Sequence, residues 1–238
     1  MANLIQSQPA YLLHSRPYRD TSLLVDFITQ DFGRIRAVAK GVRSPKSRTR
    51  ALLQPFIPLI INLSGKSELK TLGQVESQTN SVALKHKALF AAMYVNELLV
   101  RLIHKQESDI EIFSLYAETL IKLSVNAEIE PVLRSFELNL LELLGYGIDF
   151  SVLDELAKND KRIHWYYFHH DSGFERVNEA NAKTEKYFSN HALQQIADRN
   201  FIEPETQKSA KRLLRAAFSA HLGDKPLSSR NLFRKNNG

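Results

Sequence analysis

The chain of 238 residues contains no cysteine. Without thiols it can form neither disulfides nor thiolate metal sites, so both are excluded by composition alone. Long apolar runs are also missing, and none approaches the roughly 18 residues that a membrane-spanning helix requires. The first residues, MANLIQSQPAYLL, lack the charged start and the long apolar stretch of a secretory signal peptide. These absences lead us to expect a cytoplasmic protein.

Recognisable catalytic signatures are missing as well. The sequence has no G-x-x-x-x-G-K-[ST] phosphate loop, no G-x-G-x-x-G turn and no G-x-S-x-G nucleophile elbow. No two histidines have the i, i+4 spacing of a metalloprotease helix, and the adjacent His169 and His170 would point to opposite faces of a strand. We therefore expect no catalytic site, no bound metal and no cofactor.

Acidic residues are absent from one long segment of the chain. Residues 32–67 carry no Asp or Glu but eight basic residues, namely Arg34, Arg36, Lys40, Arg43, Lys46, Arg48, Arg50 and Lys66. A second basic segment, 206–238, has eight Lys or Arg against the single acid Asp224. Residues 107–160, by contrast, contain twelve acids and three bases. This asymmetry indicates a polyanionic partner on one surface and an acidic middle that lies outside its footprint.

Five segments near the start of the chain have the pattern of short strands. They are rich in aliphatic and β-branched residues, and turn signals such as RPYRD and SGK separate them. The predicted strands are 10–15, 22–29, 34–40, 52–63 and 69–77. The second and third, joined by QDFG, should form a hairpin, and Pro55 and Pro58 indicate that the fourth lies at a sheet edge or contains a bulge. Five short strands within about 75 residues are typical of a small barrel of the OB type.

From about residue 82 the apolar residues recur at helical spacing. This pattern predicts three helices that pack as a bundle, with Ser108 or Asp109 as the N-cap of the second and Gly145 ending the third. A β-hairpin should follow, and then two more helices, the last of them running from Pro204 to Gly223. The predicted ranges are 86–105, 108–124 and 130–147 for the bundle, 163–177 for the hairpin, and 189–198 and 204–222 for the final helices.

We therefore predict an α+β protein with two domains. Residues 1–80 should form a five-stranded OB-fold β-barrel that binds nucleic acid, and residues 81–238 a mainly α-helical domain with a small β-hairpin insertion in the region of about 151–186. In the third strand Arg34 and Arg36 share one face, and the bases from Lys40 onward fall in a loop.

The run of basic residues in the barrel segment can be explained either by solvation of a charged surface or by binding to a partner. A solvated charged face is the usual cause of a charge run, but such faces mix both signs, and this segment does not. On a small barrel an acid-free strip is typical of the groove that single-stranded nucleic acid follows. The DNA-binding candidates are the eight bases of 32–67 together with Lys208, Lys211, Arg212, Arg215 and Arg230. For the four that precede Arg230, an ordinary amphipathic helix whose bases offset acidic neighbours is an equally good explanation.

Several blocks of the sequence resemble the RecO family of bacterial recombination mediators. HSRPYRDTSLLVDFITQDFGRIRAVAKGVRSPKS, LQPFIPL and LKTLGQVE are similar to its N-terminal domain, and YVNELLVRLI, RSFELNLLELLGYGIDF and LGDKPLSSRNLF to its helical domain. The similarity is weakest at about 151–186, where many members carry a four-cysteine zinc module. This chain has no cysteine, so we expect that module to be metal-free or replaced by the hairpin at 163–177.

The resemblance implies a non-enzymatic role in DNA repair at the bacterial nucleoid. Such a protein binds single- and double-stranded DNA, anneals complementary strands, and works with RecR, and in many bacteria RecF, to load RecA onto DNA coated by single-strand-binding protein. Its helical domain is expected to grip the acidic C-terminal tail of single-strand-binding protein. For that tail we select Arg134 with Leu133 and Phe136, although an ion pair of Arg134 with Glu130 or Glu137 explains this residue equally well.

Two other functions stay open at this point. One is an adaptor whose basic strip docks an acidic protein, which salt-dependent binding to oligonucleotides would distinguish from DNA binding. The other is a DNA-processing enzyme of unfamiliar design, which would need a cluster of acids to hold Mg²⁺.

Overall fold

The computed structural model describes residues 4–78, 83–103, 110–125, 128–153, 164–177, 186–223 and 225–234 of the chain. Contacts divide the chain into two compact units. The first unit comprises Met1–Ala127 and Leu227–Gly238, and the second comprises Glu128–Pro226. Among the described residues, no helix is both long and apolar enough to cross a bilayer.

Five strands of the first unit close into a barrel. They are β1 (Leu4–Tyr18), β2 (Ser22–Thr29), β3 (Gly33–Ala39), β4 (Pro58–Ser64) and β5 (Lys70–Ser77). Neighbours around the barrel follow the order β1-β2-β3-β5-β4, and β3 runs parallel to β5 while the other pairs are antiparallel. The five-stranded OB-like barrel and the hairpin of β2 and β3 are thus confirmed.

The barrel core follows from alternation along each strand. In β3 every second side chain is buried, because successive residues of a strand point to opposite faces. The inward set includes Val25, Phe27, Ile35 and Ile61, all at most 4% exposed. Burying one such side chain contributes roughly 1.5–3 kcal/mol relative to leaving it in water.

The fourth predicted strand is shorter than expected and is not an edge strand. Residues Thr49–Leu52 form a short helix, α1, and β4 begins only at Pro58. Proline is tolerated at the first position of a strand because little of the ladder depends on its missing N–H. β4 pairs with both β1 and β5, so the predicted edge is wrong, but its register with β5 shifts between Ile61 and Leu63, as the alternative of a bulge allows.

Two helices of the first unit pack on the outside of the barrel, α2 (His86–Leu102) and α3 (Ile110–Ser124). A buried polar bridge joins them to β1. Asn96 Nδ2 donates to Leu13 O at 2.9 Å, and the Tyr116 hydroxyl donates to Asn96 Oδ1 at 2.7 Å. Burial, with a smaller contribution from nearby Tyr11, raises the pKa of Tyr116 well above its usual value, so this hydroxyl stays a donor.

The described residues of the second unit include a small sheet together with helices. They are α4 (Ile129–Leu143), β6 (Trp165–His169), β7 (Gly173–Val177), β8 (Phe188–Ser189), α5 (Asn190–Ala197) and α6 (Pro204–Leu222), with strand order β7-β6-β8. The predicted hairpin and the two final helices are confirmed. Gly145, at φ +78°, follows the end of α4, and Tyr146 N donates to Leu141 O, which closes that helix as predicted.

The three helices predicted as one bundle are divided between the two units. α2 and α3 belong to the first unit and α4 to the second, so the expected grouping of these three in one bundle is wrong. The predicted N-caps Ser108 and Asp109 lie outside the described residues.

The last helix, α7 (Arg230–Arg234), belongs to the first unit and was not predicted. The Glu97 carboxylate on α2 accepts hydrogen bonds from the backbone N–H groups of Ser228 and Ser229, both at 2.8 Å, and from Ser229 Oγ at 2.6 Å. Burial by itself raises the pKa of Glu97, but these hydrogen bonds, with a smaller contribution from Arg101, outweigh it and lower the pKa. Glu97 therefore anchors the C-terminal segment as a carboxylate.

Candidate nucleic-acid interface

Arg34 lies on the outer face of β3, as predicted, but its guanidinium is engaged within the first unit. Nε and Nη2 donate to Asp26 Oδ1 at 3.1 and 2.8 Å, and Nη1 donates to the carbonyls of Val100 and Ile103 at the end of α2. A cation at a helix C-terminus satisfies orphan carbonyls and complements the helix dipole. With 11% of its side chain exposed, Arg34 holds α2 against the barrel, and this environment does not support its predicted contact with DNA.

Arg36 shares the same carboxylate but remains accessible. Its Nε lies 3.3 Å from Asp26 Oδ1, and 38% of its side chain is exposed. Asp26 sits directly opposite Arg36 in the β2–β3 register. Residues 32–67 contain no acid, but Asp26 lies beside them on the neighbouring strand. A count of charges along the sequence does not reveal this.

The connection between β3 and α1 presents four exposed bases, Lys40, Arg43, Lys46 and Arg48, and Arg50 within α1 is exposed as well. It is anchored to the barrel, because Val42 is 2% exposed and belongs to the barrel core. It also folds into successive turns, in which Ser44 N donates to Gly41 O and Ser47 N to Ser44 O, both at 3.1 Å. The bases are therefore displayed on a fixed backbone.

Arg43 ties this loop to the turn between β1 and β2. Its Nη1 donates to the carbonyls of Arg19 and Asp20 at 3.1 and 3.2 Å, and its N–H donates to Thr21 O at 2.8 Å. Arg19 is exposed and lies 5.3 Å from the centre of the Tyr18 ring. Sequence reasoning missed Arg19 because it precedes the acid-free segment, although the RPYRD turn signal marked its position.

We call the exposed side chains of Arg19, Lys40, Arg43, Lys46, Arg48 and Arg50 the basic loop surface. Lys46, Arg48 and Arg50 form no ion pair with any residue that the structure describes, and the same holds for Lys40 and for Lys66 in the β4–β5 loop. Lys70, close to Lys66 in sequence, is instead buried and donates to Gly65 O at 2.9 Å. Un-neutralised exposed cations attract a polyanion and release its condensed counterions.

The basic residues of α6 are partly used inside the second unit. Lys211 Nζ lies 3.0 Å from Glu130 Oε1. Arg212 Nη2 donates to Tyr187 O and to Ser209 Oγ, both at 3.3 Å, and its guanidinium lies 4.8 Å from the centre of the Phe188 ring. For Lys211 and Arg212 the amphipathic-helix explanation is therefore the better one, whereas Lys208 and Arg215 are exposed. Arg230, on α7 in the first unit, is half-buried.

The three residues selected for a protein tail are buried in the second unit. Leu133 and Phe136 are 3% and 1% exposed, so they belong to its core and line no accessible slot. Arg134 is 5% exposed, with Nη1 at 2.7 Å from Glu137 Oε2 and Nη2 at 3.5 Å from Glu130 Oε2. The ion-pair alternative describes Arg134, and the predicted role of these three residues in binding the tail is corrected accordingly.

The region of about 151–186 is described only in part, since 154–163 and 178–185 lie outside the described residues. In its hairpin His169 pairs with Glu175 at 2.9 Å and His170 with Asp171 at 3.2 Å. Within the described part of the chain, no three His, Asp or Glu side chains are grouped so that they could hold a metal ion. The expectation of a metal-free module stays a prediction.

Two family models match this chain. The model for the N-terminal part of recombination protein O matches residues 1–80, and the model for its C-terminal part matches residues 85–231. The chain belongs to the recombination protein O family. Its RecO relatives include the DNA repair protein RecO of Tolumonas auensis, 41% identical over 226 residues, which are 94% of this chain and 93% of the relative.

Other RecO relatives are equally similar. The DNA repair protein RecO of Pseudomonas putida is 43% identical over 230 residues, and that of Cellvibrio japonicus is 42% identical over 229. In both cases the match covers 96% of this chain and 97% of the relative. The resemblance identified from the sequence is thereby confirmed, and with it a family role in DNA repair and recombination.

Proposed function

We propose that this member of the RecO family binds DNA through the basic loop surface together with Lys66 of the β4–β5 loop, with residues 1–80 as its DNA-binding domain. The observation that carries the proposal is a set of exposed bases that no described acid neutralises: Lys40, Lys46, Arg48, Arg50 and Lys66. Phosphates are the natural partners of such a set, because each contact releases a condensed counterion. Arg36, which is only partly exposed, contributes to this set to a smaller extent. Arg34 is not included, because its guanidinium is engaged within the fold.

The anchored backbone supports this proposal. Val42 in the barrel core and the turn hydrogen bonds already hold the loop in place, so binding has little backbone left to order. Contacts to phosphates carry no sequence information, so affinity should depend on salt and length but not on base sequence. The surface would accept single and double strands alike.

The same surface suggests how two strands are annealed. Bases that contact phosphates of both strands reduce the repulsion between them, so complementary bases can meet. The protein would act as a mediator rather than an enzyme at the bacterial nucleoid, working with RecR and RecF to load RecA onto DNA covered by single-strand-binding protein. The C-terminal tail of that protein is a further proposed partner.

Salt-dependent binding tests the proposal. Titration of a labelled single-stranded oligonucleotide at increasing KCl should give a log–log slope of about −4 if about six phosphates are neutralised. A slope near zero would refute DNA binding through the basic loop surface. An acidic protein that binds this surface when oligonucleotides do not would favour the adaptor function, and conversion of labelled DNA to product with Mg²⁺ would favour an enzyme.

A further inference from the structure

A pocket opens in the second unit where three of its elements meet. One wall is formed by residues 146–149, which follow α4, and a second by residues 168–174 around the turn of the β6–β7 hairpin. Ala217 and His221, near the end of α6, form the third. The volume is about 360 Å³, within the roughly 300–1,000 Å³ of pockets that hold drug-sized ligands. A whole side chain of a partner therefore fits.

Aromatic rings line this pocket. The rings of Tyr146 and His221 stack, with centroids 3.8 Å apart and planes at 20°. The rings of Phe168 and Phe174 lie 5.2 Å from each other. Tyr146 is 48% exposed, although His221 covers one of its faces. The face of an aromatic ring attracts cations, because its π electrons concentrate negative charge there.

The charged residues of the walls are acidic. Asp149 and Asp171 line the pocket, and no Lys or Arg is among the described residues that do so. Ser151 N donates to Asp149 Oδ1 at 2.9 Å. This hydrogen bond, with a smaller contribution from the Ser151 hydroxyl, lowers the pKa of Asp149, so its carboxylate is charged at neutral pH. The pocket therefore offers negative charge to a ligand.

The histidines of the pocket do not make it a site for an anion. His169 Nε2 lies 2.9 Å from Glu175 Oε2, and His170 Nε2 lies 3.2 Å from Asp171 Oδ1. The ring of His221 is stacked. Nor do these side chains suit a metal ion, because no three His, Asp or Glu among the described residues are grouped to hold one.

Two helix ends border the same pocket. α4 ends at Leu143, shortly before the wall that starts at Tyr146, and α6 ends at Leu222, next to His221. The C-terminal end of a helix carries a partial negative charge and favours a cation close to its last turn. The two helix ends thus add to the two carboxylates, and all four favour a positively charged ligand.

We propose that this pocket binds the guanidinium group of an arginine presented by a partner protein. A guanidinium is planar and can stack on an aromatic ring while its N–H groups donate to carboxylates. A lysine ammonium is a point charge and lacks the stacking surface. Free arginine suits the pocket less well, because its own carboxylate would meet Asp149 and Asp171. DNA and acidic peptides are repelled for the same reason, so this site goes beyond the proposed DNA binding.

The test is a heteronuclear NMR titration of the full-length protein with capped peptides. One peptide is Gly-Gly-Arg-Gly-Gly, and a second has citrulline in place of arginine, which keeps the shape of the side chain but removes its charge. We expect about tenfold tighter binding of the arginine peptide, since each exposed carboxylate contributes up to about fivefold. The amides of Gly147 and Gly173, which line the pocket, should shift. The lysine peptide and free arginine should both bind more weakly than the arginine peptide.

Variants of the walls should weaken binding of the arginine peptide. For Asp149→Asn we expect a loss of up to about fivefold. The Asn side chain keeps an acceptor for Ser151 N, so the turn should persist. Tyr146→Leu should cost about two- to fivefold, the range of an exposed cation–π contact. Asp198→Asn is the matched control and should change nothing, because Asp198 is an exposed acid of the second unit that lies outside the pocket.

Three results would overturn the proposal. They are equal affinity for the arginine and citrulline peptides, shifts that lie away from the pocket walls, and binding of the lysine peptide or of free arginine as tight as that of the arginine peptide. Oligonucleotide affinity should be the same in all these variants, because the basic loop surface belongs to the first unit. DNA binding is therefore tested separately from this pocket.

Discussion

The basic residues of the 40–50 loop and those of α6 carry the same charge in different surroundings. On α6, Lys211 pairs with Glu130, and Arg212 donates to Tyr187 O. In the loop, Lys46 and Arg48 are exposed and form no ion pair with a described residue. A helix face lies against neighbouring elements that can supply acids and carbonyls, whereas a loop projects into solvent. The number of bases in a segment therefore does not measure the charge it offers to a partner.

The same contrast exists within the first basic segment. Arg34 lies in a strand and is held by Asp26 and by carbonyls of α2, while Lys40, at the end of that strand, is exposed. Two bases that are close in sequence thus have different roles, one inside the fold and one on its surface. We therefore expect that removing Asp26, the partner of Arg34, will lower stability, whereas removing exposed charges such as that of Lys40 will weaken DNA binding.

The largest effect should come from Asp26→Ala. This change leaves Arg34 with no carboxylate partner in a nearly buried site and brings Arg34 and Arg36 into uncompensated repulsion. Removing one member of a buried ion pair typically costs about 3–5 kcal/mol, and we expect the lower end because Arg36 is partly hydrated. Urea unfolding measures the change.

The control for this experiment is Asp20→Ala. Asp20 is exposed in the β1–β2 turn, and only its backbone carbonyl is used by Arg43, so its removal should change stability by less than about 0.5 kcal/mol. If Asp26→Ala were as mild as this control, the assignment of Arg34 and Asp26 to the fold would be wrong.

A smaller effect, on affinity rather than stability, should follow from replacing Lys46, Arg48 and Arg50 together by Ala. Losing three phosphate contacts should flatten the log–log salt slope for single strands by about 2 and weaken binding roughly tenfold or more at low salt. Fluorescence anisotropy with oligonucleotides of different sequence measures both quantities, and the loss should be the same for each sequence.

Lys211→Gln is the matched control for the loop variant. Its charge is already paired with Glu130, so DNA affinity should stay within about twofold of wild type, since a neutralised cation releases few counterions. If Lys211→Gln lost as much DNA affinity as the loop variant, then ion pairing with an acid would not determine which basic residues contact DNA.

Acid should release the C-terminal segment from the first unit. The pKa of Glu97 is lower in the fold than its usual value of 4.5. Its contribution to stability is therefore present above that value and is lost as the pH falls through the lower pKa of the folded state. Glu97 is partly exposed, so solvent screening limits the contribution to less than about 1 kcal/mol.

Hydrogen exchange of the Ser228 and Ser229 amides measures this release. Protection should decline on acidification in the wild-type protein, after correction for the intrinsic pH dependence of exchange. In Glu97→Gln protection should already be low at neutral pH. Protection that is equal in both proteins at neutral pH would rule out the anchoring role.

The smallest effect on stability should come from the ion pair between Lys211 of α6 and Glu130 of α4. Lys211 and Glu130 are each about two-fifths exposed, and such surface pairs contribute about 0–1 kcal/mol. Lys211→Gln should therefore lower the free energy of unfolding by less than about 0.5 kcal/mol. The same urea titration as for Asp26→Ala checks this, and a loss near that of Asp26→Ala would remove the difference between a buried and a surface pair.

Much of the fold was predictable from residue patterns. The alternation in GRIRAVA and the helical period up to Gly223 lead directly to β3 and α6. The elements missed, α1, β8 and α7, have two to five residues, too few to show a period. β8 in particular is a strand only because β6 lies beside it.

The candidate site was less predictable than the fold. The sequence placed the bases of the loop correctly but gave no sign that Asp26 lies opposite Arg36 or that Arg34 reaches the end of α2. For Arg134 the sequence did offer an ion pair with Glu130 or Glu137 as an alternative, but it gave no sign that the arginine is buried. These neighbours follow from strand register and helix burial, which a charge count does not contain.

The order of charged and apolar residues by itself determined the barrel strands, most of the helices, the family and the absence of acids from 32–67. Which of those bases stay exposed and unpaired among the described residues, and which are engaged within the fold, was decided only by tertiary structure. Neutralisation acts through space over a few ångströms, and the chain brings Asp26 and the carbonyls of Val100 and Ile103 to Arg34 only once β2, β3 and α2 have packed together.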